Sequence, residues 1–404
     1  MDKVLGIILA GGKGERLYPL TKERSKPAVP FGGQYRIVDF VLSNFINSGI
    51  FSIYILVQYL SQSLIEYLRT SWRGVGITHN HFITVVPPQM RRGAMWYQGT
   101  ADAVRQNLNI ISDHNPDFIA VFGADHIYRM DIRQMLAFHR ACGADITVAA
   151  VPVPLADAVQ YGVVETDERN KMTGFTEKPQ NPKPMPGRKT HAYSSMGNYI
   201  FNRDVLNEIL SSGGGFAGKM DLDFGRSILP VAFERYKVFA YDFSTHDLPG
   251  LRNYEEQSYW RDIGAIKAYW DAHMDLLGPK PRFNLNNPQW PIHSGRVDVP
   301  PANILNSKIN NCIIGSGASL GSCEIESSVL GQGVTVGENC DIRNCVIHDF
   351  TEIGPGSRLK GVIIDRFNKL PPSTSIGYDT RQDSSLWHMD SSGIIVVPRG
   401  KTRP

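Results

Sequence analysis

The chain lacks any strong imbalance of charge. Its 404 residues carry 42 Lys and Arg against 39 Asp and Glu, a formal net charge of +3, which is too small and too dispersed to make nucleic acid or a membrane its main partner. Long apolar runs are missing too: no stretch reaches the ~18 residues of a membrane span, and no secretory leader is expected ahead of Val4. Cysteine is scarce. Five cysteines at irregular spacings exclude a paired disulfide framework, and no C-x-x-C pair is there to seed a zinc site. These absences predict a reduced, cytoplasmic protein. A hydrophobic content of 42% supports a folded chain throughout, and 404 residues exceed one core, so two domains are expected.

Residues 4–26 read V-L-G-I-I-L-A-G-G-K-G-E-R-L-Y-P-L-T-K-E-R-S-K. The apolar run of Val4, Leu5, Ile7, Ile8, Leu9 and Ala10 predicts a central parallel strand buried on both faces, ending at Gly11-Gly12-Lys13-Gly14. Glycines let the backbone approach a ligand and turn N–H groups toward an anion, while Lys13, Arg16 and Lys26 add positive charge. A polyphosphate fits. The loop is not a Walker A motif, because Glu15-Arg16 follows Gly14, and its glycine spacing is not that of the dinucleotide fingerprint. A strand, a double-glycine loop with arginine and a downstream Lys26-Pro27 resemble the signature of the sugar-nucleotidyltransferases.

Further along, Ile37, Phe40, Val41, Leu42, Phe45 and Ile46 recur at helical spacing, predicting a helix entered through the Gly32-Gly33 turn. Strands are expected at 53–57 and 82–86 with a helix over 61–71 between them; Gln58 and Tyr59 fall at a strand end, where open α/β sheets bind ligands. Gly99 and Thr100 suit the cap of a helix with apolar face Ala101, Val104 and Leu108, its free N–H groups turned toward the loop. Trp96 and Tyr97 fit either a base stack or the core. A strand at 119–122 delivers Asp125 to the same edge, where a carboxylate beside a triphosphate is placed as a Mg²⁺ ligand; the adjoining His126 receives no catalytic assignment. Asp262, in Y-W-R-D-I-G, is the natural second carboxylate. Glu177 and Lys178, in F-T-E-K-P, set an acceptor beside a cation, suited to a sugar hydroxyl and a sugar phosphate. The proline-rich residues 179–186 read as a flexible loop able to close over the site, and M-D-L-D-F-G-R at 220–226 adds Asp223.

Prolines at 277–301 remove periodicity and mark a linker. Beyond it, aliphatic residues stand six apart at Ile314 and Leu320, at Leu330, Val336 and Ile342, and at Ile353 and Leu359, with glycine directly after five of them. Such repeats build a parallel β-helix with inward side chains stacked in a prism; interruptions at Glu326 and His348 limit it to four or five coils. Cys312, Cys323, Cys340 and Cys345 fit as small buried residues of that stack. The expected organisation is a catalytic α/β domain over 1–276, a linker over 277–301 and a β-helix over 302–404.

The blocks G-G-K-G-E-R-L, S-K-P-A-V, F-G-G-Q-Y-R-I-V-D-F-V-L-S-N, W-Y-Q-G-T-A-D-A-V, G-A-D-H-I-Y, F-T-E-K-P, S-S-M-G-N-Y and Y-W-R-D-I-G, followed by a β-helix, together resemble the bacterial glucose-1-phosphate adenylyltransferases over nearly the whole chain. The resemblance implies a Rossmann-like nucleotidyltransferase domain with a mostly parallel sheet, then a left-handed β-helix serving oligomerisation and regulation. It implies transfer of the adenylyl group of ATP to glucose 1-phosphate with Mg²⁺, giving ADP-glucose and pyrophosphate, as the allosterically regulated, committed step of glycogen synthesis in a cytoplasmic homotetramer. Residue by residue, it implies catalytic roles for Arg16, Lys26 and Asp125, and ATP contacts for Leu9, Ala10, Gly11, Gly12, Gly14, Gln58, Trp96, Tyr97, Gly99 and Thr100. Glucose 1-phosphate falls to Tyr97, Gly162, Glu177, Lys178, Ser195, Asp223 and Trp260, Mg²⁺ to Asp125 and Asp262, and phosphorylated effectors to Arg24 and Arg36. Gln58 and Trp96 also match positions that relay activation. Two positions depart from the pattern: Glu23 stands where some bacterial members carry an activator-binding lysine, and Pro30 where they carry histidine. Negative charge at Glu23 repels a bisphosphate, so fructose 1,6-bisphosphate is not expected to be a strong activator.

Overall fold

The computed structural model describes residues 2–72, 81–90, 95–211, 222–295 and 298–400. Val4–Ala10 (β1) is apolar and almost wholly buried, so it takes the middle of a nine-stranded sheet. The other strands are Ser52–Val57 (β2), Phe82–Val86 (β3), Phe118–Gly123 (β4), Ile146–Pro154 (β5), Gly162–Thr166 (β6), Met172–Glu177 (β7), His191–Asn202 (β8) and Val238–Asp242 (β9). Their order is β7-β6-β8-β4-β1-β2-β3, with β5 pairing both β8 and β9. The sheet is mixed. It is parallel through β4-β1-β2-β3, whereas β8 runs antiparallel to β4, β5 and β6. In the parallel part the carboxyl ends emerge side by side, Leu9 standing opposite both Leu56 and Gly123. That edge carries the glycine loop, Gln58 and Asp125.

The predicted helix over the Ile37 stretch forms as Ile37–Asn47 (α1), entered from a hairpin that pairs Pro30–Phe31 with Tyr35–Arg36. Its turn needs glycine: Gly32 and Gly33 have φ of 61° and 88°. One helix prediction needs correction. Instead of one helix from Thr100 through Leu108 there are two, Thr100–Arg105 (α2) and Leu108–His114 (α3). The break has a local cause: the Asn107 side chain donates to the Ala103 carbonyl at 2.8 Å, taking the acceptor that its own backbone N–H would use, and that N–H turns to Val104 instead.

The segment read as a linker packs closely against the catalytic domain. Phe283, Trp290 and Ile292 are buried, Asn47 donates to the Pro291 carbonyl at 2.9 Å, and the His293 N–H donates to the Ser43 hydroxyl at 2.8 Å. After it the chain winds into a left-handed β-helix of three walls, two of them parallel with five strands each and the third ending in an antiparallel pair. Leu320, Val336, Ile353 and Leu370 stack on one wall, Ile325, Ile342, Leu359 and Ile376 on the next. Of the apparent interruptions, Glu326 is an exposed residue that ends a wall strand opposite Arg343, and His348 stands just before a corner. Asn311, Ser327, Asn344 and Gly361 turn one corner with φ of 55°, 48°, 51° and 63°, and the stacked rings of Phe350 and Phe367 occupy another, 5.9 Å apart. Cys323, Cys340 and Cys345 are buried in the coils and free; burial pushes the Cys345 thiol up to about 12.

The third wall carries aliphatic residues on both sides. Leu330, Ile347 and Ile364 face the prism, while Val346, Ile363 and Val396 pack with Phe31, Phe40 and Tyr269 into one core shared with the catalytic domain. Its strands therefore read as consecutive aliphatics, where the other walls alternate with polar residues. Among the described residues no helix is long and apolar enough to cross a membrane.

Candidate active site

The loop after β1 is held in shape by its own backbone. Gly14 has φ of 66°, its carbonyl accepts from the Thr21 hydroxyl at 2.9 Å and the Leu17 N–H at 3.0 Å, and a side chain at this position would meet Lys26 and Thr21 carbons at 3.1 Å. Lys26, on the short turn Lys26–Ala28, is thereby pressed against the loop. Its head reaches past the loop to two carboxylates, with Nζ 3.0 Å from Asp125 Oδ2 and 3.2 Å from Asp262 Oδ1. Burial alone would lower the Lys26 pKa, but the two carboxylates outweigh it and hold the ammonium above its ordinary value. For Asp125 burial pushes upward, and the charges of Lys26 and His126 win, holding the carboxyl well below the usual range.

Asp262 comes from far along the chain. A two-stranded antiparallel ladder sets Trp260–Asp262 against His126–Tyr128, with Asp262 opposite His126 and hence beside Asp125. One ligand atom each from Asp125, His126 and Asp262 lies within 4.8 Å of the others. Two carboxylates offering hard oxygen donors fit a Mg²⁺ ion, and His126, whose Nε2 lies 3.4 Å from Asp125 Oδ1, adds a third potential ligand that no sequence motif singled out. Arg16 is exposed, with its guanidinium laid across Gly264 beside Asp262; a side chain at Gly264 would come within 2.8 Å of Arg16 Nη2.

On the other side of the loop, the Gln58 amide accepts from the Tyr97 N–H at 2.7 Å and donates to the Tyr97 carbonyl at 3.3 Å. Gln58 thus positions the 96–97 backbone, and the two aromatics divide. Tyr97 is buried and its hydroxyl accepts from Asn107 at 3.0 Å, whereas Trp96 is 46% exposed and tilted against the ring of Tyr59, which Lys13 approaches to 5.4 Å. The expectation of free N–H groups at the start of α2 also needs correction. The N–H groups of Ala101 and Asp102 donate to the Leu222 carbonyl at 3.0 and 2.9 Å, and the Thr100 hydroxyl donates to Asp223 at 2.7 Å while accepting from the Phe224 N–H. This end of α2 is tied to 222–224 and presents no open anion site. Met220 and Asp221 of the same motif lie outside the described residues.

Asp223 is the cap of the single π turn Phe224–Ile228, accepting from the N–H groups of Gly225 and Arg226. Glu177 ends β7, and its carboxylate crosses to Gly162 on β6: a side chain there would meet Glu177 Oε2 at 2.9 Å and the Phe175 ring at 2.5 Å. Lys178 follows with φ of 48°, its N–H donating to the Tyr161 carbonyl at 2.9 Å. Ser195 sits where the pairing of β8 with β5 is interrupted, and Trp260 is buried against His126 and Tyr161, ring centres 5.1 and 5.5 Å away. The proline-rich stretch after Lys178 is tied back to β6 by Lys183, 2.7 Å from Glu165.

Arg24 and Arg36 lie elsewhere. Both are buried, Arg24 paired with Asp365 and Arg36 with Asp349 at 3.0 Å, so each joins the catalytic domain to the β-helix. Neither guanidinium is exposed for an effector in this conformation.

A glycine loop leaving a central parallel strand, facing a carboxylate pair across a buried lysine, defines a nucleotidyltransferase, and the nucleotidyl transferase family model matches residues 5–278. A GlmU-like C-terminal hexapeptide model matches residues 300–397. Three similar curated proteins are each called glucose-1-phosphate adenylyltransferase. That of Thermodesulfovibrio yellowstonii is 51% identical, the match covering 99% of this chain and 97% of the relative. Those of Photobacterium profundum and Anaeromyxobacter sp. are 46% and 43% identical, over 99% of this chain and 99% and 98% of theirs. The chain belongs to the glucose-1-phosphate adenylyltransferase family and is an enzyme of that family.

Proposed function

We propose that this enzyme joins ATP and glucose 1-phosphate into ADP-glucose and pyrophosphate. The observation that carries the reading is the position of Lys26, at once against the glycine loop and between Asp125 and Asp262. A phosphate oxygen of glucose 1-phosphate attacks the α-phosphorus of ATP in line, a new P–O bond forms, and the bond to the β-phosphate breaks as pyrophosphate leaves. The attacking oxygen is already anionic, so no protein nucleophile or base is required. The protein's task is to align two anions and neutralise their charge. Backbone groups of the 11–14 loop cradle the triphosphate, with Leu9 and Ala10 at its base. Arg16 and Lys26 clamp it, and Gln58 holds Trp96 and Tyr97 on the nucleotide side together with Gly99 and Thr100. Glu177, Asp223 and Ser195 take the sugar hydroxyls, Gly162 leaves them room, Lys178 takes the phosphate, and Trp260 floors the pocket. Asp125 and Asp262 would hold Mg²⁺, which when bound lowers the charge on the phosphates and on the departing pyrophosphate.

The product suits glycogen synthesis in the cytoplasm, and we assign the β-helix to assembly of a homotetramer whose turnover responds to phosphorylated metabolites. Arg24 and Arg36 would reach an effector only by releasing their β-helix partners. Glu23 lines the same cleft as Arg24, where a lysine would add positive charge; its carboxylate argues against a bisphosphate activator, although Arg399 at 3.5 Å offsets part of its charge. Turnover with ATP compared with UTP, dTTP and GTP tests the base specificity: preference for ATP supports the reading, and preference for another nucleotide overturns it.

A further inference from the structure

We infer that in the ligand-free enzyme Lys26 is the resident cation of the carboxylate pair, standing in the position of the divalent ion and leaving it when a bound triphosphate offers its ammonium another partner. This rests on the reading of the site given above and adds the order in which its cations change places.

Three observations lead to it. First, Lys26 Nζ touches one oxygen of each carboxylate, at 3.0 and 3.2 Å. A Mg²⁺ ion held by these two carboxylates would lie between them, in the volume that the ammonium fills. The two cations exclude one another by size and by charge. Second, Lys26 is only 7% exposed. Removing its charge would leave Asp125 and Asp262 facing each other with their oxygens inside a 4.8 Å cluster, so the lysine is what makes the metal-free arrangement stable. Third, the base of the side chain is held by the loop, whereas its head is held by the two carboxylate contacts. The Lys26 Cβ lies 3.1 Å from where a Gly14 side chain would begin, and Ser25 before it is bonded to the Leu60 carbonyl. From that anchor, rotation about the outer side-chain bonds carries the ammonium from the carboxylates to the space over the glycine loop, where the triphosphate lies in the proposed reaction.

The consequence is a coupling. Free metal meets an occupied site and binds weakly, whereas a triphosphate in the loop draws the ammonium away and opens the site.

The probe is Mn²⁺ without nucleotide, its free concentration read from the electron paramagnetic resonance of the hexaaquo ion. The expected result is that K26Q binds Mn²⁺ at least about tenfold more tightly than the wild type, that K26R does not, and that adding D125N to K26Q abolishes the gain. A second readout uses the wild-type enzyme alone. Reductive methylation followed by peptide mass spectrometry should find Lys26 protected in the free enzyme and several-fold more reactive at saturating Mn²⁺. Methylation unchanged by metal, or a folded K26Q that binds Mn²⁺ no better than the wild type, overturns the inference. Both outcomes leave adenylyl transfer standing if the wild-type enzyme still makes ADP-glucose, so failure here is distinguishable from failure of the functional reading.

Discussion

Gly162 shows how little room the sugar side of the site leaves. An added methyl would meet the Phe175 ring at 2.5 Å and Glu177 at 2.9 Å, both strand-borne groups with little freedom to retreat. For Gly162→Ala we expect the KM for glucose 1-phosphate to rise about tenfold or more while the KM for ATP stays within about twofold; equal rises in both would contradict the placement. A second residue-scale prediction concerns His273. The Gly32 N–H donates to its Nε2 at 3.2 Å, so Nδ1 must carry the proton shared with the Tyr269 carbonyl at 2.9 Å, and the ring is needed neutral. Burial pushes its pKa down to about 3. The folded value lies below the unfolded one, so the unfolded chain takes up the extra proton as pH falls below ~6.5. Stability is therefore full above that pH and is lost progressively down to about 3, by up to ~1.4 kcal/mol per pH unit. His246, lowered by burial to about 4, acts in the same direction. Thermal midpoints should fall between pH 7 and pH 5, and a flat profile would count against this account.

At the scale of elements, the site depends on a ladder of three residues per strand. Among the described residues Trp260–Asp262 has no other strand neighbour than His126–Tyr128, yet it sets Asp262 beside Asp125. Sequence periodicity cannot reveal such a pairing, because three residues define neither a period nor a partner more than a hundred positions away. The long elements were legible for the opposite reason. The buried run of β1, the 3.6-residue pattern of α1 and the six-residue spacing of the coils each repeat often enough to point to one structure. The helix at Thr100 ends earlier than its apolar pattern predicts, because its end is decided by one side-chain hydrogen bond from Asn107 that no apolar pattern records. Residue identities in the loop and in F-T-E-K-P point to an anion site and its chemistry; that Lys26 bridges both carboxylates is visible only in the folded structure. At this scale Thr100→Val is informative. Its hydroxyl links α2 to Asp223 and the Phe224 N–H, and losing it leaves both short of a partner at a cost of about 1–3 kcal/mol. The KM for glucose 1-phosphate should rise with little change in overall fold, as judged by circular dichroism; an unaltered KM would dissociate Asp223 from the sugar.

For the whole molecule, the two domains are joined by an apolar core and by buried charge. Arg24 pairs with Asp365, Arg36 with Asp349, and Tyr269 hydrogen-bonds to His348 at 2.7 Å. Burial would raise the Asp365 pKa, but Arg24 outweighs it and holds the carboxyl far below its usual range. Asp365→Ala leaves Arg24 buried without its partner, a change that costs roughly 3–5 kcal/mol. Chemical denaturation should record that loss; a loss under about 1 kcal/mol would show that the apolar wall alone holds the domains together. The account as a whole turns on the chemistry of the loop and the carboxylate pair. Its most direct test is the product formed from ATP, glucose 1-phosphate and Mg²⁺ by the wild-type enzyme and by Asp125→Asn. The account predicts ADP-glucose and pyrophosphate in equal amounts from the wild type and a kcat reduced about 10²–10³-fold in the variant, whereas an Asp125→Asn enzyme that turns over at the wild-type rate would contradict it.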